Sequence, residues 1–189
     1  MMASPRRRNP FSAPRGLVGW LAGSLMARLN RPTAEQMVRR LKLSGSEDVL
    51  EVGVGPGLGL ELLHPGARRL CGVDPSPTMV RMASCRVPAA EVRETGVSSL
   101  PWGDASFDRI CSMNSVMLWP DLRHDLRELV RVLRPAGRLV IAVRDHSIER
   151  KYGGMLRSEI DGVVDTLRSL ALSVKLGHHQ AVAYIEAVR

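Results

Sequence analysis

The chain has 189 residues, enough for one domain with a substantial core and too few for two comfortable ones. Hydrophobic residues make up 44% and charged residues 24%, the balance of an ordinary globular protein, and no apolar run approaches the ~18 residues of a membrane span. The formal charge of +8 resembles a nucleic-acid signal, but residues 1–34 hold six arginines and no acid while the remainder holds 21 basic and 19 acidic residues, so the excess belongs to the N-terminus, where no aromatic interleaving supports base stacking.

Residues 1–15 are polar, basic and proline-containing and read as a disordered arm. Leu17, Leu21, Leu25 and Leu29 then recur every four residues, an amphipathic helix pattern weakened by Gly19 and Gly23 and stopped by Pro32. Thr33 reads as the N-cap of a second helix running to about Leu43, so residues 16–44 form an N-terminal helical segment ahead of one domain, 45–189. Within that domain the period changes. Strands are expected at Asp48–Val52, Arg69–Val73, Ala90–Thr95, Phe107–Met113 and Arg138–Val143. Helices are expected at Leu58–Leu63, Thr78–Ser84, Asp121–Leu133 (ended by Pro135 to Gly137) and Met155–Leu170. The segment LSVKLGHHQAVAYIEAV, Leu172 to Val188, reads as a hairpin turning at Gly177 to Gln180. Strands alternating with helices, then a hairpin, predict a doubly wound α/β fold whose sheet is mostly parallel. The cysteines Cys71, Cys85 and Cys111 form neither a metal-ligand pair nor an even disulfide set; they read as reduced thiols of an intracellular protein, and no metal site is expected.

The glycine-rich turn after the first strand carries the chemistry. Gly53, Gly55, Gly57 and Gly59 lie where a parallel strand feeds a helix, the edge at which free backbone N–H groups meet ligands in doubly wound sheets. The dinucleotide fingerprint needs glycines at i, i+2 and i+5, and the third position is Leu58, Leu60 or Leu62 in every register, so a nicotinamide dinucleotide is disfavoured. What remains is Glu51 just before the first glycine and Asp74, 17 residues after Gly57, at the end of the second strand. A carboxylate there can accept from both hydroxyls of a ribose. The pattern describes a nucleoside site without a pyrophosphate.

LEVGVGPGLG, GVDPSPTMV, SLPWGDASFDRI and LRELVRVLRPAGRLVIA, in this order from about Asp48 to Arg144, resemble the successive motifs of class I S-adenosylmethionine-dependent methyltransferases of the type 11 domain group. The segments NRP (Asn30 to Pro32), GVDPSP and MNSVMLWPD resemble a narrower bacterial-type subgroup. The resemblance implies a seven-stranded Rossmann-like sheet with its last strand antiparallel, and S-adenosyl-L-methionine as cofactor. It implies that Glu51, Gly53, Gly55 and Gly57 surround the methionine end, that Asp74 holds the ribose, that Met79 packs near the adenine and that Asn114 faces the methyl group. The sequence departs from the family at Gly96, where an aspartate usually meets the adenine amine.

Methyl transfer from a sulfonium is an in-line displacement that asks the protein mainly for positioning. The candidate catalytic side chains are Asn114, ending the fourth strand, and His146, after the fifth; a solvated loop histidine is the competing reading of His146. His178 and His179 read as solvated, in a turn away from the ligand edge, and Trp119 either walls the pocket or caps a helix. The expected function is methyl transfer to a small, hydrophobic acceptor, with the leucine-rich helix Leu17–Leu29 closing over Met117 and Trp119. The alternatives are an RNA or protein methyltransferase docking through the basic arm, and a cofactor-binding, non-catalytic relative. A cytoplasmic location is expected; the arginine-rich start also resembles a mitochondrial presequence, the alternative for a eukaryotic source.

Overall fold

The computed structural model describes the backbone of residues 16–149 and 154–189, with side chains from residue 29 onward, so the expected arm at 1–15 and the side chains of Leu17 to Met26 lie outside the described residues. Its elements, in chain order, are α1 (Gly16–Leu41), β1 (Asp48–Val52), α2 (Leu58–Leu63), β2 (Arg69–Asp74), α3 (Pro77–Arg86), β3 (Glu91–Glu94), β4 (Phe107–Met113), α4 (Leu122–Val132), β5 (Leu133–Arg144), α5 (Arg157–Ser169), β6 (Ser173–His179) and β7 (Val182–Val188).

The seven strands form one sheet in the order β3-β2-β1-β4-β5-β7-β6. All neighbours are parallel except β7, which runs antiparallel to both β5 and β6. The doubly wound expectation holds, hairpin included. Every residue of β1 is buried, Asp48 and Glu51 included, as in a strand covered on both faces. One face carries Met37 and Leu41 of α1, Leu60 and Leu63 of α2 and Ala83 of α3 against Val49, Cys111 and Val140. The other carries Leu126 and Leu129 of α4 and Ile160, Val163 and Leu167 of α5 against Leu50, Ile110 and Ile141. The result is a three-layer α/β/α sandwich.

Three expectations are corrected. Pro32 does not stop the first helix: α1 runs through it as one 26-residue helix. An internal proline removes the hydrogen bond to residue 28, at a cost of about 3 kcal/mol. The next turns bury Ala34, Met37 and Leu41 completely, and tertiary burial of that size outweighs the local defect. Thr33 is therefore no N-cap; it lies in the interior of α1. Secondly, β5 begins at Leu133, not Arg138, because Leu133 already pairs with Phe107 and the segment around Pro135 to Gly137 is an irregularity within the ladder rather than a loop before it. Thirdly, β6 runs parallel to β5, since each is antiparallel to β7, so His178 and His179 end on the same carboxyl edge as the glycine turn. The three cysteines are unpaired, Cys71 and Cys111 buried and Cys85 exposed.

Candidate functional site

The carboxyl edge of β1, β2 and β4 collects most of the singled-out residues. After Val52 the backbone turns through Gly53, Gly55 and Gly57, all with positive φ (78°, 51° and 84°). Two of these positions also admit no side chain. A Cβ on Gly57 would lie 2.8 Å from the Ala83 Cα, and one on Gly53 would lie 2.5 Å from the Ser115 Cβ. The glycines thus set how closely the turn packs on α3 and on the end of β4.

The backbone N–H groups of this turn are not left over for a ligand, as the sequence pattern suggests. Gly53 and Val54 both donate to the Val73 carbonyl (2.9 and 3.1 Å), and Gly57 donates to Val54 (3.0 Å). Gly55 donates to Asp74 Oδ2 at 2.9 Å, and Pro56 has no N–H. The turn from 53 to 57 spends its donors within the protein.

Asp74 closes this arrangement. Its other oxygen, Oδ1, accepts from the Ser76 N–H at 2.9 Å, and the Ser76 hydroxyl caps α3 by accepting from Met79 N–H. Burial pushes the Asp74 pKa above the usual carboxylate range, with the bonds from Ser76 and Gly55 opposing it. Each oxygen keeps a further lone pair for a hydroxyl donor. Met79 is buried on the first turn of α3, beside this carboxylate in the chain.

Glu51 is 1% exposed and pairs with Cys111 of β4 and Gly72 of β2 in the middle of the sheet. Burial raises its pKa to about 8; a hydrogen bond from the Leu60 N–H at the start of α2 works against this, and the neighbouring Asp74 adds to it. Its Oε1 lies where a Cβ on Gly59 would sit, and its Oε2 is buried with no partner. Glu51 thus lies beneath the glycine turn, with one carboxylate oxygen toward the start of α2 and the other without a partner.

Asn114 follows β4 in a left-handed conformation (φ 51°), and its N–H donates to the Ala142 carbonyl at 2.8 Å. Its Nδ2 donates to Asn30 Oδ1 on α1 (3.3 Å), while its own Oδ1 is buried without a donor. Ser115 ties the ends of the strands together: its hydroxyl donates to the Val52 carbonyl (3.1 Å), lies 2.6 Å from Ser112 Oγ and accepts from Trp119 Nε1 (3.2 Å). Trp119 is buried in the core shared with α4 and α5, on the face opposite α1, and does not cap the start of α4, whose N-cap is Asp121. Met117 packs against the same core, and the side chains of Leu17 to Met26 that were expected to close over these two residues lie outside the described residues. Leu29 is exposed, and Ala34 packs instead with Leu58, Leu62 and Met113.

Glu51, the three glycines, Asp74 and Asn114 are brought together. His146 is not part of that group: it sits one strand over, its N–H donating to Met155 and its ring against Gly154. Sequence reasoning missed two features of this edge. Asp145, fully buried, accepts from the Ser147 N–H (2.9 Å) and hydroxyl and lies 3.0 Å from His178 Nε2. Burial opposes the Asp145 charge, but these bonds hold its pKa below the usual value. His178 is thus partnered as well as solvated: it and His179 are both exposed, as expected. The second feature is Asn30, whose NRP segment was singled out without a role. Among the described residues no group of three or more metal-ligating side chains converges, and no helix is long and apolar enough to cross a membrane.

Residues 50–141 match the family model described as "Methyltransferase domain". The chain is 27% identical over 128 residues to the uncharacterized methyltransferase YdaC of Bacillus subtilis, covering 66% of this chain and 71% of that protein. It is 32% identical over 122 residues to erythromycin 3''-O-methyltransferase of Saccharopolyspora erythraea, covering 59% of this chain and 39% of that one. The fold is similar to a putative methyltransferase solved in complex with the Haloferax volcanii Trm112 methyltransferase activator, with a TM-score of 0.77, 18% identity, and 93% and 99% of the two chains covered. Apart from YdaC, the chain spans only about half or less of the curated relatives it first matches, from 35% to 51% of their length.

Proposed function

Because the chain belongs to the class I S-adenosylmethionine-dependent methyltransferases, with S-adenosylmethionine as the family's cofactor, we propose that it transfers a methyl group to a small, partly apolar acceptor by in-line displacement. The observation that carries this reading is the convergence of Asp74, Asn114 and the positive-φ glycine turn at the carboxyl ends of β1, β2 and β4. This is the edge where doubly wound sheets bind nucleosides.

The residues fit the cofactor. Asp74 offers lone pairs to a ribose, and the buried Asn114 Oδ1 lacks the donor that an ammonium would supply. The cofactor, when bound, supplies an activated methyl on a sulfonium. In this reading Gly53, Gly55 and Gly57 let the backbone lie flat beneath the methionine end. Asp74 holds the ribose and Met79 borders the adenine. Asn114 faces the methyl, and His146 remains the candidate base on the neighbouring loop. Supporting a small acceptor are the apolar group of Ala34, Leu58 and Met113 beside the glycine turn, and the erythromycin-modifying relative. The protein is proposed to be cytoplasmic.

Calorimetry tests the cofactor half. Binding of S-adenosylmethionine and its demethylated product is expected, and tight NAD binding with no response to either would overturn the reading. Isotopically labelled methyl cofactor, incubated with a small-metabolite extract, with RNA and with protein, tests the acceptor half. Label in the small-molecule fraction is expected. Label confined to RNA or protein would favour docking through the basic arm, and binding without turnover on any fraction would mark a non-catalytic relative.

A further inference from the structure

The amino-acid end of the cofactor brings an ammonium and a carboxylate, and something must recognise both. The glycine turn is the usual candidate, yet here each N–H from residue 53 to 57 already has an acceptor in Val73, Val54 or Asp74. Recognition of a zwitterion at this edge therefore falls to side chains. Two are in place. Asn114 follows β4, and the next residue, Ser115, abuts Gly53. Asn30 reaches it from α1, 84 residues earlier in the chain.

Their mutual bond uses one amide N–H of Asn114 and the carbonyl of Asn30, at 3.3 Å. Unspent among the described residues are the carbonyl of Asn114, which is buried without a donor, and the amide N–H groups of Asn30, whose recorded bond uses only its carbonyl. Exchanging O and N on both side chains leaves the same inventory, one carbonyl and one amide. A carbonyl with no donor complements an ammonium, and an amide complements a carboxylate. The neighbouring cation does not compete: Arg31 is paired with Glu61 of α2 at 2.9 Å and with Glu35 at 3.7 Å. The Arg31–Glu61 pair also links this turn of α1 to the helix that follows the glycine turn.

We propose that Asn30 and Asn114 together read the amino-acid end of the cofactor, the Asn114 carbonyl accepting from the ammonium and the Asn30 amide donating to the carboxylate. The inference rests on the cofactor reading above. It gives the NRP segment a function: α1 brings a polar side chain across to the end of β4, and the protein distinguishes the complete cofactor from its nucleoside fragment.

The test compares two ligands on the full chain. S-adenosylhomocysteine carries the amino-acid end; 5'-methylthioadenosine lacks it. Asn30→Ala is expected to weaken S-adenosylhomocysteine by about ten-fold or more, the scale of a charge-assisted hydrogen bond. Its affinity for methylthioadenosine should stay within about two-fold. Asn114→Gly, which tolerates the left-handed backbone, should lose the same discrimination. Asp74→Ala is the contrasting control and should weaken both ligands together. An Asn30→Ala protein that melts like the wild type and keeps the wild-type ratio of the two affinities overturns the proposal, as does a loss equal for both ligands. A wild-type protein that binds neither ligand overturns the cofactor reading, and this inference with it.

Discussion

The Asp74 carboxylate accepts the Gly55 N–H on one oxygen and the Ser76 N–H on the other. It fixes the glycine turn and the start of α3 before any ligand arrives. Asp74→Ala should then weaken S-adenosylmethionine by about 1.5–3 kcal/mol, the range for bonds to a charged group, and calorimetry on the folded variant reads it. Unchanged affinity would reduce Asp74 to a turn residue. Gly96 allows the opposite experiment. It lies just beyond β3, and a Cβ there would meet nothing within 4 Å. Its φ lies outside the left-handed range, so a side chain brings no backbone strain. Gly96→Asp should restore the acid that the family places beside the adenine amine and tighten cofactor binding by about 1 kcal/mol. No gain would show that the adenine is held by other groups. Glu51 and Asp74 are legible in the sequence because each is fixed by its place at or next to a strand end. The Asn30 contact is not, because a bond spanning 84 residues has no local signature.

At the scale of elements, α1 carries a proline where a helix should break, and that is also where sequence reasoning failed. The propensity rule is local, whereas the turns after Pro32 are held by Met37 and Leu41, which are fully buried against β1, β4 and β5. The same limit explains the misplaced start of β5 and the misjudged edge on which the two histidines lie. Strand direction follows from pairing across β5-β7-β6, and no window of sequence contains that pairing. The strands themselves were legible, since β1 is a run of buried residues and β7 buries Ala183, Tyr184 and Ile185 in succession. Pro32→Ala supplies the missing N–H at an exposed helix position and should stabilise the protein by about 1–3 kcal/mol in urea unfolding. A destabilised variant would mean that the proline fixes a bend that the fold requires. Met37→Ala should cost about 2–5 kcal/mol, the range for emptying a buried methionine site.

Across the whole molecule, buried carboxyls at the ligand edge and paired carboxyls elsewhere give stability opposite pH slopes in different windows. Glu91 and Glu128 have pKa values held down chiefly by hydrogen bonds from Arg69 and Arg131. Their stabilisation is present above the ordinary glutamate range and is lost as pH falls through their depressed values. Glu51 has the reverse sign. Burial raises its pKa to about 8, so the folded protein holds a proton that the unfolded chain releases near 4.5. Its contribution is complete below that unfolded value. It declines as pH rises toward about 8, by at most ~1.4 kcal/mol per unit. Asp74, also raised by burial, adds the same sign at lower pH. Glu51→Gln keeps the side-chain size and an oxygen for the Leu60 N–H but cannot ionise. Urea unfolding at about pH 5 and about pH 8 should show the wild type losing stability between them and the variant losing markedly less, the residue of the slope coming from Asp74 and other groups. Equal slopes in the two proteins would mean that Glu51 is already charged in the fold, its buried oxygen meeting a donor that compensates the loss of water.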